Sequence, residues 1–445
     1  MNKNSFSLIV LTIIFFTISS ILFGFSIKYF KEGGKSFIFL RDYVYAIAEI
    51  PRPIFYMVRS GSLNPNKLFL LKKHKDKKKL EKFLSNDKRD ALLVLARYDH
   101  SLSRSVVDVV NLNNFEVIHT YAHDIAKMNK KIKNRKIFTD FEISSSPIRF
   151  QYHHPIILED GSLISNNPSS PIFKIDFCSN LIWINDEERF HHSKMLDHEG
   201  NILVSGQMPS VSSKNKYSLK GYRNDSVVKV NPEGQIIYNK SITGILIENK
   251  ILPENFIMNS IFAKISDPIH SNDIEPAFSD TEYWNKGDIF ISIRNQSAIV
   301  HYRPSNNKVL NYITGPFIHQ HDVDIISDKE ISLFNNASDK NYSEILIYNF
   351  ETKKFKTLIN NELQNENFKT DTEGLHHIFK DGSLLVDESN HGRIILFNNK
   401  GEKEWEFVNK DKNGDIGLIK WSRVIEDKLF IEKYKLLTKN RSCLN

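Results

Sequence analysis

Histidine recurs in this chain at His153-His154, His191-His192, His270, His319/His321 and His376-His377, each time at the start of a similar stretch. A neutral imidazole is both a nucleophile and a proton carrier near pH 7. Three segments place other chemical groups beside these rings. DPIHSNDIEP sets His270 and Asn272 two residues apart, hence on one face of an extended segment. GDIFISIRNQS closes a strongly apolar run with Arg294, where a guanidinium is costly unless an anion meets it. FIHQHDVDIISDKEISLFNN puts His321 next to a carboxylate. Histidines, an arginine and an amide together suit an oxyanion with three or four oxygens. The arginine grips two oxygens, Asn272 donates to another, and a histidine attacks or carries a proton. Metal binding by the same histidines is the rival chemistry. The chain has no HExxH and no tight His/Asp cluster that specifies a geometry, so neither metal nor cofactor is expected.

The elements that carry these residues repeat. HHPIILEDGSLISNN from His153, HHSKMLDHEGNILVSGQ from His191 and HHIFKDGSLLVDES from His376 share one pattern. It runs His-His, a strand, a turn with Asp-Gly or Glu-Gly, a second strand, then a unit ending in Trp or Tyr. Looser copies begin near Leu92, Ile269 and Ile318. About six copies of roughly 50–60 residues match the size of four-stranded propeller blades. The expected fold is therefore all-β, a six-bladed β-propeller, with a β-sandwich as runner-up. A sandwich gives no reason for histidines at a constant phase. The stretch 243–266 reads as a loop or helical excursion between blades.

The amino terminus differs in kind. Residues 4–27 are uncharged and mostly apolar, long enough to cross a bilayer as a helix and lacking a small-residue cleavage site. The expected organisation is a transmembrane signal anchor over 1–30 and a helical, lysine-rich linker over 31–90. The propeller follows over 91–435, with a tail over 436–445. Within the linker, 36–60 reads as an amphipathic helix stopped by Pro51 and Pro53. Lys3 precedes the apolar run while Lys28, Lys31, Lys35 and Arg41 follow it, and this count favours a cytoplasmic globular part.

The net charge of +7 is local, because 67–82 holds eight lysines against Asp76 and Glu81. The rest is near neutral, which argues against nucleic acid as partner. Cys178 and Cys443 are the only cysteines, too few for a disulfide framework.

These segments resemble the bacterial arylsulfotransferase (arylsulfate sulfotransferase) family over about 91–433. Family patterns close to DWxHxN, DSIIxSSRxQ and QHD…ITLFDNG meet DPIHSND, GDIFISIRNQS and QHDVDIISDKEISLFNN in the same order. The resemblance implies a six-bladed propeller that moves a sulfuryl group from a phenolic sulfate ester to a phenol, without nucleotide sulfate. It implies His321 as the transiently sulfated histidine and His270, Asn272 and Arg294 as sulfate-binding groups. His192 or His191 matches a fourth active-site histidine, with His153 and His154 also open, and the active-site threonine falls near Thr370–Glu373, with Thr372 the residue taken for it. It also implies an extracytoplasmic propeller, against the charge count. The departures are a longer His270–Arg294 spacing and DPIH in place of the tryptophan of DWxH. Two other readings remain: a non-catalytic propeller that binds an anionic ligand or a partner protein, and a metal-dependent propeller hydrolase or lyase. The natural donor, the acceptor and the oligomeric state are not legible.

Overall fold

The computed structural model describes residues 3–31, 70–84, 89–134, 137–138, 148–209 and 216–443. The chain falls into two units, Met1–Leu68 and Phe69–Asn445. In the first unit one helix, Lys3–Lys31, is described. It leaves Leu11, Phe15, Phe16, Leu22 and Phe25 exposed. Its hydroxyls turn inward: Ser20 Oγ donates to Phe16 O at 2.8 Å and Ser26 Oγ to Leu22 O at 2.9 Å. Among the described residues no helix is long and apolar enough to cross a membrane. The span expected over 1–30 is thus not shown. The amphipathic piece expected over 36–60 lies outside the described residues.

The second unit is an all-β, propeller-like fold. A short strand β1 (Leu80–Lys82) comes first, then the meander β2 (Leu92–Asp99), β3 (Arg104–Asn111) and β4 (Glu116–Tyr121). A seven-stranded sheet follows: β5 (His153–Ile157), β6 (Leu163–Asn166), β7 (Ser170–Ile175), β8 (Leu181–Leu196), β9 (Ile202–Met208), β10 (Asn224–Val230) and β11 (Ile236–Ser241). Two four-stranded sheets come next. The first is β12 (Ser271–Pro276), β13 (Ile289–Ile293), β14 (Ala298–Arg303) and β15 (Lys308–Thr314). The second is β16 (His321–Ser327), β17 (Glu330–Asn335), β18 (Glu344–Asn349) and β19 (Lys354–Leu358). Last come β20 (Leu375–Ile378), β21 (Leu384–Glu388), β22 (Arg393–Phe397) and β23 (Lys403–Val408), and β24 (Arg423–Ile425) returns to pair with β2.

Among the described residues, four of the five sheets are blade-sized and the fifth has seven strands, so six separate blades are not found there. The cause is β8, whose first part pairs with β7 and whose last part pairs with β9. Each strand interior has two buried faces. On β2, Leu92, Val94 and Ala96 join the core shared with β3 and β7, while Leu93 and Leu95 join a core with Leu385, Leu396 and Trp405. That second core seals the first sheet to the last. The Asp-Gly and Glu-Gly turns form as expected: Gly161, Gly200 and Gly382 have φ of 77°, 79° and 84°, which a β-carbon disfavours.

Two expectations need correction. The end of the lysine-rich linker is not helical. Over 70–84 it is turns plus β1, which joins the last sheet beside β23. Its lysines meet buried carboxylates instead: Lys73 pairs with Glu388, and Lys77 Nζ lies 2.8 Å from Glu406. The carboxyl tail continues a helix, Lys428–Asn440, capped by the Asp427 carboxylate on Phe430 N–H. Cys178 and Cys443, too few for a framework, form one disulfide that ties that tail to the turn before β8. The stretch 243–266 is helical in part, with helices Ile242–Glu248 and Phe256–Phe262.

Candidate active site

In four of the repeats the opening strand, or the part of β8 that opens one, carries a break in its ladder. Register shifts fall at His153/Ile156 in β5, His191/Lys194 in β8, Ser271/Asp273 in β12 and His321/Val323 in β16. Beside them the backbone turns left-handed, with φ of 39° at His154, 58° at His192, 53° at His270 and 52° at Asp322. A bulge bends the strand and re-aims a side chain, and an αL residue that is not glycine carries strain worth about 1–3 kcal/mol. Buried Lys194 holds two of these bulges together, its Nζ donating to His153 O at 2.5 Å and His154 O at 3.3 Å.

The bulges bring His192, His270 and His321 together. The His192 ring lies 4.9 Å from His270 and 6.1 Å from His321. His153 is 5.6 Å from His192. Trp421, with φ of 53°, packs its ring 5.8 Å from His321 and 5.3 Å from His153.

His321 is buried and its tautomer is fixed. Asn336 Nδ2 donates to Thr370 O at 3.0 Å and Glu373 O at 2.8 Å, so Asn336 Oδ1 is the atom left to accept from His321 Nδ1–H, at 2.6 Å. Nε2 therefore keeps its lone pair, with only the Glu373 N–H at 3.4 Å near it. Burial lowers the pKa of His321 to about 3, and the nearby His270 and Arg294 add to that while the Asn336 bond opposes it. Burial also pushes His192 and His153 well below the ordinary imidazole value. His270 donates through Nδ1 to Asp267 at 2.6 Å. Its Nε2 is thereby the basic nitrogen.

Arg294 sits in a short turn of 3-10 helix after β13, half-buried, with Nη1 on Asn295 Oδ1 at 2.7 Å. Among the described residues it forms no ion pair, and burial lowers its pKa. Asn272 is buried, with Nδ2 on Gln320 O at 2.7 Å and Oδ1 without a partner. Both nitrogens of His153 and the Trp421 indole N–H are also buried without partners. Such orphaned groups beside the rings are what a polar ligand would satisfy.

Two expected residues are placed elsewhere. His191 stands one layer behind the rings: its Nδ1 lies 2.8 Å from His192 Nδ1, while its Nε2 turns into the sheet, 3.3 Å from Gly206 O and 3.4 Å from the Asp225 carboxylate. Thr372 is exposed and held by Asn390, whose Oδ1 accepts its N–H at 3.0 Å. Sequence reasoning missed Asp267, Asn336 and Trp421. Asp267 stands three residues before His270, and Asn336 ends the LFNN run already noted. Trp421 carried no signal, because it belongs to the returning segment outside the repeat pattern. A cavity of about 270 Å³ lined in part by Asp197, Glu199 and Lys229 lies elsewhere. There Lys229 pairs with Asp197 at 2.7 Å, which leaves little for chemistry.

A family model described as Arylsulfotransferase (ASST) matches residues 154–410, more than half of the chain. The chain belongs to the arylsulfotransferase family. The match takes in His192, His270, Asn272, Arg294 and His321, and ends before Trp421. No curated protein matches this arylsulfotransferase-family chain. Among solved structures it is similar to a protein of unknown function from Bacteroides caccae, at 12% identity over 76% of this chain and 100% of that one, TM-score 0.48. TolB from Acinetobacter baumannii is similar at 10% identity over 76% and 67%, TM-score 0.45. Virginiamycin B lyase from Staphylococcus aureus follows at 12% identity over 57% and 69%, TM-score 0.34. These likenesses are too distant to bear on function.

Proposed function

We propose that this arylsulfotransferase-family protein moves a sulfuryl group from an aryl sulfate ester to a phenol through a sulfo-histidine at His321. The observation that carries the reading is the Asn336–His321 contact, which commits the proton to Nδ1 and the lone pair to Nε2. In the first step Nε2 attacks sulfur, the S–O ester bond breaks, and the phenolate leaves with its electron pair. In the second step the acceptor oxygen attacks sulfur and the N–S bond breaks, returning the pair to Nε2. The acceptor proton passes to His270 Nε2, which Asp267 orients. The charge of the transferring group rests on its peripheral oxygens, as in phosphoryl transfer, so Arg294 and the orphaned donors act by electrostatic clamping. Asn272 and His192 complete the pocket on this reading, which assigns no role to His191 or Thr372.

The same proposal takes the seven-stranded sheet as two blades sharing β8, which restores the count of six. It takes the helix Lys3–Lys31 as a membrane anchor, supported by its uncharged run and exposed apolar side chains. The Cys178–Cys443 disulfide supports an extracytoplasmic propeller, because such bonds persist in oxidising compartments.

The test is sulfuryl transfer from a chromogenic aryl sulfate to added phenol by His321→Asn. This variant is expected to fold, to lose transfer, and to gain no sulfo mass after donor is added. Substantial transfer by folded His321→Asn would remove the covalent mechanism.

A further inference from the structure

The transfer scheme leaves one charge beside the nucleophile unused. Burial keeps the rings of His153, His192 and His321 neutral, so they bring no positive charge to an anionic donor. Arg294 can grip two of the three peripheral oxygens of a sulfuryl group. The third has no cation in that scheme.

A second cation comes from the segment that returns between β23 and β24, beyond the residues of the family match. The backbone of Lys420 is held on both sides, its N–H on Ala96 O at 2.8 Å and its carbonyl accepting from His154 N–H at 3.3 Å. Its neighbour Trp421 packs on His321 and His153. The Lys420 ammonium lies 2.5 Å from Glu373 Oε1. Glu373, in the loop before β20, is itself fastened to the nucleophile. Its N–H lies 3.4 Å from His321 Nε2, and its carbonyl accepts at 2.8 Å from Asn336 Nδ2, whose Oδ1 meets His321 Nδ1. A left-handed backbone, φ 62°, holds it in that pose. The ammonium is therefore one glutamate side chain away from the attacking nitrogen.

This ion pair is incompletely satisfied. Each side chain is only 12% exposed. Glu373 Oε2 is buried without a partner. An ammonium has three N–H donors, and Glu373 is the one acceptor of Lys420 among the described residues. A buried pair repays its desolvation when its remaining protons and lone pairs are matched. Here two N–H groups remain to donate, next to a ring that is to carry an anionic group. The leaving oxygen departs in line, on the side of sulfur away from Nε2. A cation on the Nε2 side thus faces the peripheral oxygens and not the leaving one.

We propose that Lys420 is the second cation of the sulfuryl pocket, gripping the peripheral oxygen that Arg294 leaves, and that Glu373 positions it. The inference rests on the sulfuryl-transfer reading of the site. Lys420 keeps its bond to Glu373 and donates another N–H to the oxygen, so no proton changes hands. Its charge opposes the negative charge carried by the peripheral oxygens throughout both half-reactions.

The test pairs turnover of a chromogenic aryl sulfate with calorimetric binding of inorganic sulfate. Lys420→Met alone would strand the Glu373 carboxylate, so the informative variant is Lys420→Met/Glu373→Gln. It removes both charges and should keep a thermal midpoint close to that of wild type. It should lose roughly 10–100-fold in kcat/KM for the donor and in sulfate affinity, while Lys420→Arg recovers most of both. A folded double variant that matches wild type in both readouts would overturn the inference, leaving a plain structural ion pair and an intact transfer reading. A wild type that binds sulfate in a Lys420-dependent way but transfers nothing would remove the transfer reading and leave the anion grip. A wild type that does neither would overturn both.

Discussion

Burial sets the charge of His321. With its pKa lowered to about 3, the imidazole stays neutral across the range in which a free histidine would titrate. Release of phenolate in the donor half-reaction should therefore be flat between about pH 5 and 7, with no acid limb near the ordinary imidazole value; stopped-flow bursts read this directly. The same depression has a stability consequence. The unfolded chain takes up the proton near 6.5 and the folded chain only near 3, so the contribution of His321 is complete above pH 6.5 and is lost as pH falls toward 3. The stability gap between wild type and His321→Asn should narrow over that window, as measured by denaturant unfolding; a constant gap would refute the shift. Asn336→Ala keeps the nucleophile but leaves its Nδ1–H only the His319 carbonyl, at 3.1 Å, so the ring is held less firmly. We expect a loss of kcat of roughly 10²–10⁴-fold with little change in KM. Arg294→Lys should keep weak transfer, since an ammonium replaces a two-point clamp with a point charge.

At the scale of elements, position came from defects in the strands. The histidine doublets were legible because composition repeats. Which member of a doublet faces the site was not, since that depends on a bulge and a left-handed backbone angle set by the paired strand. His191 and His192 are neighbours in sequence, yet one bonds Gly206 and the other meets His270. Asp-Gly turns were readable from local preference alone. The stretch with Lys73 and Lys77 was misread as a helical linker because its partners, Glu388 and Glu406, lie more than 300 residues away. Pairing of Cys178 with Cys443 was invisible for the same reason, with 265 residues between them. Cys178→Ser/Cys443→Ser should cost about 2–5 kcal/mol, seen as a lower thermal midpoint that reducing agent no longer changes.

For the whole molecule, the family was legible from short motifs in order, while the number of separate sheets was not, because β8 runs through a boundary the repeats imply. Deleting residues 1–31 should release a soluble, folded protein from membranes, judged by sedimentation without detergent; a truncated chain that still pellets would place membrane contact elsewhere. The ring itself is closed in two directions at once. β24, near the carboxyl end, completes the first sheet, and β1, from the amino-terminal side, extends the last. Each end of the chain thus waits for the other. A chain emerging from a ribosome or an export channel cannot finish its first sheet until Arg423–Ile425 has emerged, nor tie the β7–β8 turn to the last helix until Cys443 follows. The Leu93 and Leu95 face of β2 likewise lacks most of its core until Phe379, Leu385, Leu396 and Trp405 of the last sheet have been made. Synthesis that stops short of the last few dozen residues leaves an open ring with an unpaired strand at its edge. Such a product is a substrate for chaperones and proteases, and messages cut near their end should yield degradation rather than partial activity.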